Sequence, residues 1–144
     1  GILRDTTDRR RAEKELREAF RLDPKMAPAA YNLCILSAKD RPQEALSWCR
    51  RAVELNPQES KYAYTLAFYL KEQGDLKNAA ASLQDFLTRR PGFTDGYLLL
   101  AEICVQQRDR PQAEAVLRQA LQVDSLSPRD RARVAEALQK LSNP

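Results

Sequence analysis

The sequence predicts an all-α chain built from antiparallel helical hairpins. Three observations carry that expectation. Proline-ended turn segments recur at near-even spacing: Leu22-Asp23-Pro24, Leu55-Asn56-Pro57 and Arg89-Arg90-Pro91, with intervals of 33 and 34 residues. Behind each proline stands a small residue twelve positions back (Ala12, Ala45, Ala79) and another five back (Ala19, Ala52), with Phe86 as the exception. One period further on, Ser125 replaces the proline, while Ala113 and Ala120 keep the register. A repeat of this length is one helical hairpin, and stacked hairpins bury a continuous core. The composition agrees: four glycines, many Ala, Leu, Arg, Glu and Gln, and no alternating strand-like runs.

Each element has its own reason. Residues 8–22 carry Leu16, Ala19 and Phe20 among charges and stop before Pro24. Residues 27–39 open the first full repeat. Pro42 suits the first turn of a helix over 42–55, because proline needs no amide donor there. Lys61 to Lys71 place apolar side chains at three-four spacing, predicting a helix over 60–72. Gly74 accepts the left-handed conformation that stops it, and Asp75 caps the next helix, 76–89. Pro91 ends that helix, since its nitrogen cannot donate. A helix over 94–107 includes the apolar run from Tyr97 to Val105, broken by Glu102. Pro111 opens 111–123 as Pro42 opens its own helix. Ser127-Pro128-Arg129-Asp130 caps 128–141, which turns Val134, Ala135, Leu138 and Leu141 toward the preceding hairpin.

In these residues the chain resembles the tetratricopeptide repeat (TPR) family over nearly its whole length. The unit 60–93 carries Leu66-Ala67, Gly74-Asp75, Ala79, Leu83 and Pro91. The unit 94–127 keeps Tyr97, Leu100-Ala101, Ala113, Leu117 and Ala120, with Arg108-Asp109 in place of the turn pair. The unit 27–59 keeps Leu33, Ala45, Ala52 and Pro57, carries Cys34 where the family prefers glycine or alanine, and has a turn one residue short. Residues 8–24 look like the second helix of a repeat whose first helix Gly1-Ile2-Leu3 only begins. The last helix, 128–141, is a cap or the first helix of a further repeat. The resemblance implies a right-handed α-α superhelix and a single array over 1–144, a fragment of a longer scaffold or assembly protein.

Composition excludes several functions. The chain has no histidine, which removes the commonest general base and most catalytic zinc sites. It has no glycine-rich phosphate loop and no CxxC pair, and no cofactor or metal is expected. Asp75 and Asp109 read as helix caps. No stretch of 18 apolar residues is present, so no membrane insertion is expected. No targeting signal appears, and the compartment, cytoplasmic or periplasmic, stays open. Net charge is +4, and the cations are interleaved with acids, as in Asp8-Arg9-Arg10-Arg11-Ala12-Glu13-Lys14-Glu15. That pattern reads as a solvated helix face. Nucleic acid, which wants a one-signed stripe, is the weaker alternative.

The three cysteines, Cys34, Cys49 and Cys104, read as small buried hydrophobes in the reduced state. The alternative is a Cys34–Cys49 disulfide in an oxidising compartment, on two helices that the repeat brings together.

The resemblance also implies where a partner binds. In TPR arrays the first helix of each hairpin lines a concave groove. The groove positions here are Tyr31, Asn32 and Ile35, then Lys61, Tyr64, Phe68 and Lys71, then Leu98, Leu99 and Glu102, with Arg133 on the last helix. Such a groove suits an apolar or aromatic helix or extended peptide. Tyr31 and Ile35 stand where the family's chaperone-tail clamp needs Lys and Asn, so a clamp is not expected. Tyr64 and Phe68 are the expected anchors, with Lys61 and Lys71 meeting acidic groups on the partner. The alternative function is self-association or spacing, with a homo-oligomer formed through Leu16 and Phe20 at the truncated N-terminal end.

Overall fold

The computed structural model describes residues 2–143, with side chains from Thr6 onward. The described residues form eight α-helices and no strand: α1 (Ile2–Leu22), α2 (Ala27–Ser37), α3 (Pro42–Leu55), α4 (Ser60–Glu72), α5 (Leu76–Arg89), α6 (Thr94–Gln106), α7 (Arg110–Leu121) and α8 (Pro128–Ser142). The fold class is the all-α helical repeat that the sequence predicts. The largest difference is at α1, which starts at Ile2 and not at residue 8. No glycine or proline stands between Ile2 and Asp23, so nothing stops the helix from extending backward. Residues 2 and 3 therefore belong to α1 itself and do not begin a preceding helix; Gly1 lies outside the described residues.

The chain divides into two compact units, 1–69 and 70–144, with the division inside α4. In the first unit α1 packs on α2 and α2 on α3. Its core holds Leu33, Cys34, Ala45, Leu46, Cys49 and Ala52, all buried. Small side chains at Ala45 and Ala52 let the α3 backbone come close to α2. Helix α1 is fixed by charge as well as by packing. Glu13 is buried and pairs with Arg41, Arg9 meets Asp40 at 3.3 Å, and Arg17 pairs with Glu44. The Arg17 guanidinium holds the Glu44 carboxyl below the usual carboxylate range.

The expectation of three reduced thiols is corrected here. Cys34 on α2 and Cys49 on α3 form a disulfide with a Cα separation of 5.2 Å. That separation lies inside the range a disulfide accepts without backbone movement. The short turn between α2 and α3 brings the two positions face to face. Cys104 is free and buried, and burial together with Asp109 pushes its thiol pKa up.

In the second unit α5 packs on α6, α6 on α7, and α7 on α8. Two turns repeat one hydrogen-bond pattern. Gly74 donates to Lys71 and Asp75 to Leu70, each at 2.9 Å. Arg108 donates to Val105 and Asp109 to Cys104, again at 2.9 Å. Both are paired closures that satisfy the last helical carbonyls and require a left-handed residue. Gly74 supplies it with φ 82°, but Arg108 adopts φ 62° with a full side chain. Asp75 and Asp109 then cap α5 and α7 by accepting from the Asn78 and Gln112 amides. Arg108→Gly should therefore raise stability by about 1 kcal/mol, since the left-handed conformation costs a non-glycine residue about that much. A urea midpoint at or below that of the parent would count against strain at this turn.

Phe86, the exception in the repeat grammar, is fully buried and meets Phe93 edge-on at 5.5 Å. The space comes from Gly96, where an added Cβ would lie 2.8 Å from Phe93 Cδ2 and 3.1 Å from Leu87 Cδ2. Tyr97, one residue on, is buried with its hydroxyl donating to the Pro91 carbonyl at 2.8 Å. Gly96→Ala should destabilise by about 1–2 kcal/mol, the overpacking cost exceeding the helical gain of alanine. A higher melting temperature for this variant would show that the Phe93 ring swings aside freely.

Candidate recognition face

The sequence-predicted groove residues fall in both units, and each unit is described by itself. In the first unit they come from α2 and from the α4 residues up to Tyr69. Tyr31 joins the two helices. Its ring stacks on Tyr62 at 5.0 Å, its hydroxyl lies 3.3 Å from the Thr65 hydroxyl, and Lys61 Nζ sits 5.0 Å from its ring centroid. Tyr31 is thus an inter-helix contact more than a free anchor, and Lys61 is partly engaged by its π face. One turn along each helix, Ile35 is 41% exposed and Phe68 is 37% exposed. Phe68 meets Tyr69 at 5.8 Å. Asn32 is exposed and Tyr64 half-buried. The face is therefore a tyrosine seam flanked by two exposed apolar side chains and one lysine.

In the second unit the charged predicted residues, Lys71, Glu102 and Arg133, are tied into ion pairs. The Lys71 side chain is only 8% exposed, with Nζ 3.2 Å from Glu72 and 3.9 Å from Glu102. Within the chain, α6 and its own helix supply carboxylates to it. Arg133 donates to Asp95 at 2.7 Å and to Asp130 at 3.1 Å, and both bonds hold its pKa above the usual arginine value. Thr94 donates to the same Asp130 at 3.2 Å. This network fastens α8 to α6. Leu98 is half-buried, and Leu99 is buried and belongs to the core and not to the groove.

One feature is missing from the sequence reading: Trp48, half-buried on α3 and meeting Phe20 edge-on at 5.3 Å. A lone tryptophan on a second helix was the available signal.

Family models described as tetratricopeptide repeat match residues 2–60 and 70–141. The chain belongs to the tetratricopeptide repeat family. Among curated proteins it is similar to Protein O-mannosyl-transferase TMTC3 of Homo sapiens, with 27% identity over 120 residues, covering 80% of this chain and 13% of that protein. Among solved structures it resembles a tetratricopeptide repeat protein from Parabacteroides merdae (22% identity, TM-score 0.73, 96% of this chain and 55% of that one). It also resembles the MamA protein (22% identity, TM-score 0.71, 89% and 67%) and pilF of Pseudomonas aeruginosa (21% identity, TM-score 0.69, 94% and 63%). These structural likenesses show the fold. The TPR fold is in general a protein–protein interaction module and not a catalyst. No helix among the described residues is long and apolar enough to cross a membrane.

Proposed function

We propose that this TPR chain is a non-catalytic recognition module that holds a peptide or helix of a partner protein on the α2–α4 face. The observation that carries this reading is the pair of exposed apolar side chains, Ile35 and Phe68, beside the Tyr31–Lys61 contact. Exposed apolar groups next to rigid aromatics are how recognition surfaces are built. The chain spans about an eighth of its curated relative, and we assign it the role of an assembly element within a scaffold. Self-association through α1 is less well supported. Phe20 is packed against Trp48, and the recess along α1 is lined by charged residues such as Arg10, Lys14 and Arg21. Peptides selected by display on the parent protein provide the test. Tyr64→Ala with Phe68→Ala should weaken them at least tenfold, with helical content unchanged. Unchanged affinity, or an oligomer that polar substitutions at Leu16 and Phe20 turn into a monomer, would favour self-association.

The Cys34–Cys49 bridge supports an oxidising compartment as the place of work, because disulfides persist where thiols are not kept reduced. Alkylation of the unfolded, unreduced protein from its source should label Cys104 alone. Labelling of all three cysteines would argue for a reducing compartment.

A further inference from the structure

We infer a second docking surface on α1 and α3 of the first unit, suited to an acidic peptide segment of a partner protein. A recess of about 360 Å³ is lined by Phe20, Ser47, Trp48, Arg50, Arg51 and Glu54. Its aromatic floor is the edge-on Phe20–Trp48 pair. Each ring carries a guanidinium: Arg51 lies 6.0 Å from the Phe20 centroid, and Arg17, which also pairs with Glu44, lies 5.9 Å from that of Trp48. A second recess, of about 470 Å³, lies along α1 and is lined by Arg10, Lys14, Arg17 and Arg21 against Glu13 and Glu18, with Arg21 paired to Glu18 at 2.7 Å. Glu13 is buried and already holds Arg41. Glu54 meets Arg51 at 3.5 Å, a loose exposed pair that a partner carboxylate can replace.

The surface therefore presents more guanidinium than carboxylate, and guanidinium forks bind carboxylates in two-point geometry. Tryptophan and arginine are also the residue types that dominate protein interfaces. Nucleic acid fits less well. Glu18 and Glu54 interrupt the cationic stripe, and a guanidinium already sits over each ring, where a base would stack.

Trp48 is the only tryptophan of the chain, so its fluorescence reports on the recess directly. The full chain is titrated at low salt with an acetylated Glu-Asp-Phe-Leu-Glu-Glu amide and with its Gln-Asn-Phe-Leu-Gln-Gln counterpart. The acidic peptide should give a saturable change, and the neutral one should bind about tenfold more weakly. Arg50→Ala with Arg51→Ala should weaken the acidic peptide by about tenfold or more, while Tyr64→Ala with Phe68→Ala leaves its affinity within twofold. The last result separates this surface from the α2–α4 face. Equal binding of the two peptides, an affinity indifferent to Arg50 and Arg51, or saturable binding of an oligothymidine in place of the acidic peptide would overturn the assignment. So would a concentration-dependent dimer that shifts Trp48 emission without peptide.

Discussion

Reducing the Cys34–Cys49 disulfide should lower the melting temperature of the first unit by about 10 °C. The bridge spans 15 residues, and closing a loop of that length removes roughly 3 kcal/mol of unfolded-chain entropy. In a chain of this size each kcal/mol is worth about 3–4 °C. Both sulfurs sit in the core between α2 and α3, so reduction also leaves two thiols in a space shaped for one bond. Circular-dichroism melts with and without a phosphine reductant measure the effect. Cys34→Ala with Cys49→Ala should melt near the reduced parent. Superimposable melts would mean that the hairpin owes nothing to the bridge.

Phe86→Ala should cost about 3–5 kcal/mol, the largest single-residue loss expected in the second unit. The substitution restores the alanine found at the equivalent positions Ala19, Ala52 and Ala120, so a repeat-consensus argument expects no loss. The packing argues the reverse. The Phe86 ring is fully buried, lies edge-on to Phe93 and carries the Arg89 guanidinium 5.7 Å from its centroid. Gly96 leaves room for Phe93 to meet it. Without Phe86 that room becomes a cavity. In urea titrations Phe86→Ala with Gly96→Ala should cost less than the two single changes added, because Phe93 is then free to move off the new methyl. A neutral Phe86→Ala would show that repeat consensus outweighs local packing here.

Much of the fold is legible in the repeat. Gly74-Asp75 announces its turn and cap because only glycine takes the left-handed geometry cheaply. Arg108 carries no such signal. Its conformation is visible only in the closure it completes, which reproduces the Gly74 pattern. The start of α1 is not legible in the sequence, because periodicity fades in the polar run before Arg9, whereas a helix ends only where a residue stops it. The cysteines fit two readings, since the deciding quantity is a Cα separation set by the length of the α2–α3 turn. Spacing placed Lys71 and Arg133 on the expected face, but it does not say which carboxylates lie within reach. Glu72 and Glu102 lie within reach of Lys71, and Asp95 and Asp130 within reach of Arg133. The Trp48 recess is illegible for a similar reason. It exists only once α1 has docked and brought Phe20 to α3.

Amide chemical-shift mapping tests the recognition face most directly. The isotope-labelled chain is titrated with the tightest display-selected peptide, and the perturbed amides are placed on the structure. Perturbations should centre on α2 around Tyr31 to Ile35 and on α4 around Lys61 to Phe68, and they should vanish in the Tyr64→Ala, Phe68→Ala variant. A map centred on α5 or α7, with α2 and α4 silent, would contradict a recognition face built on Ile35 and Phe68.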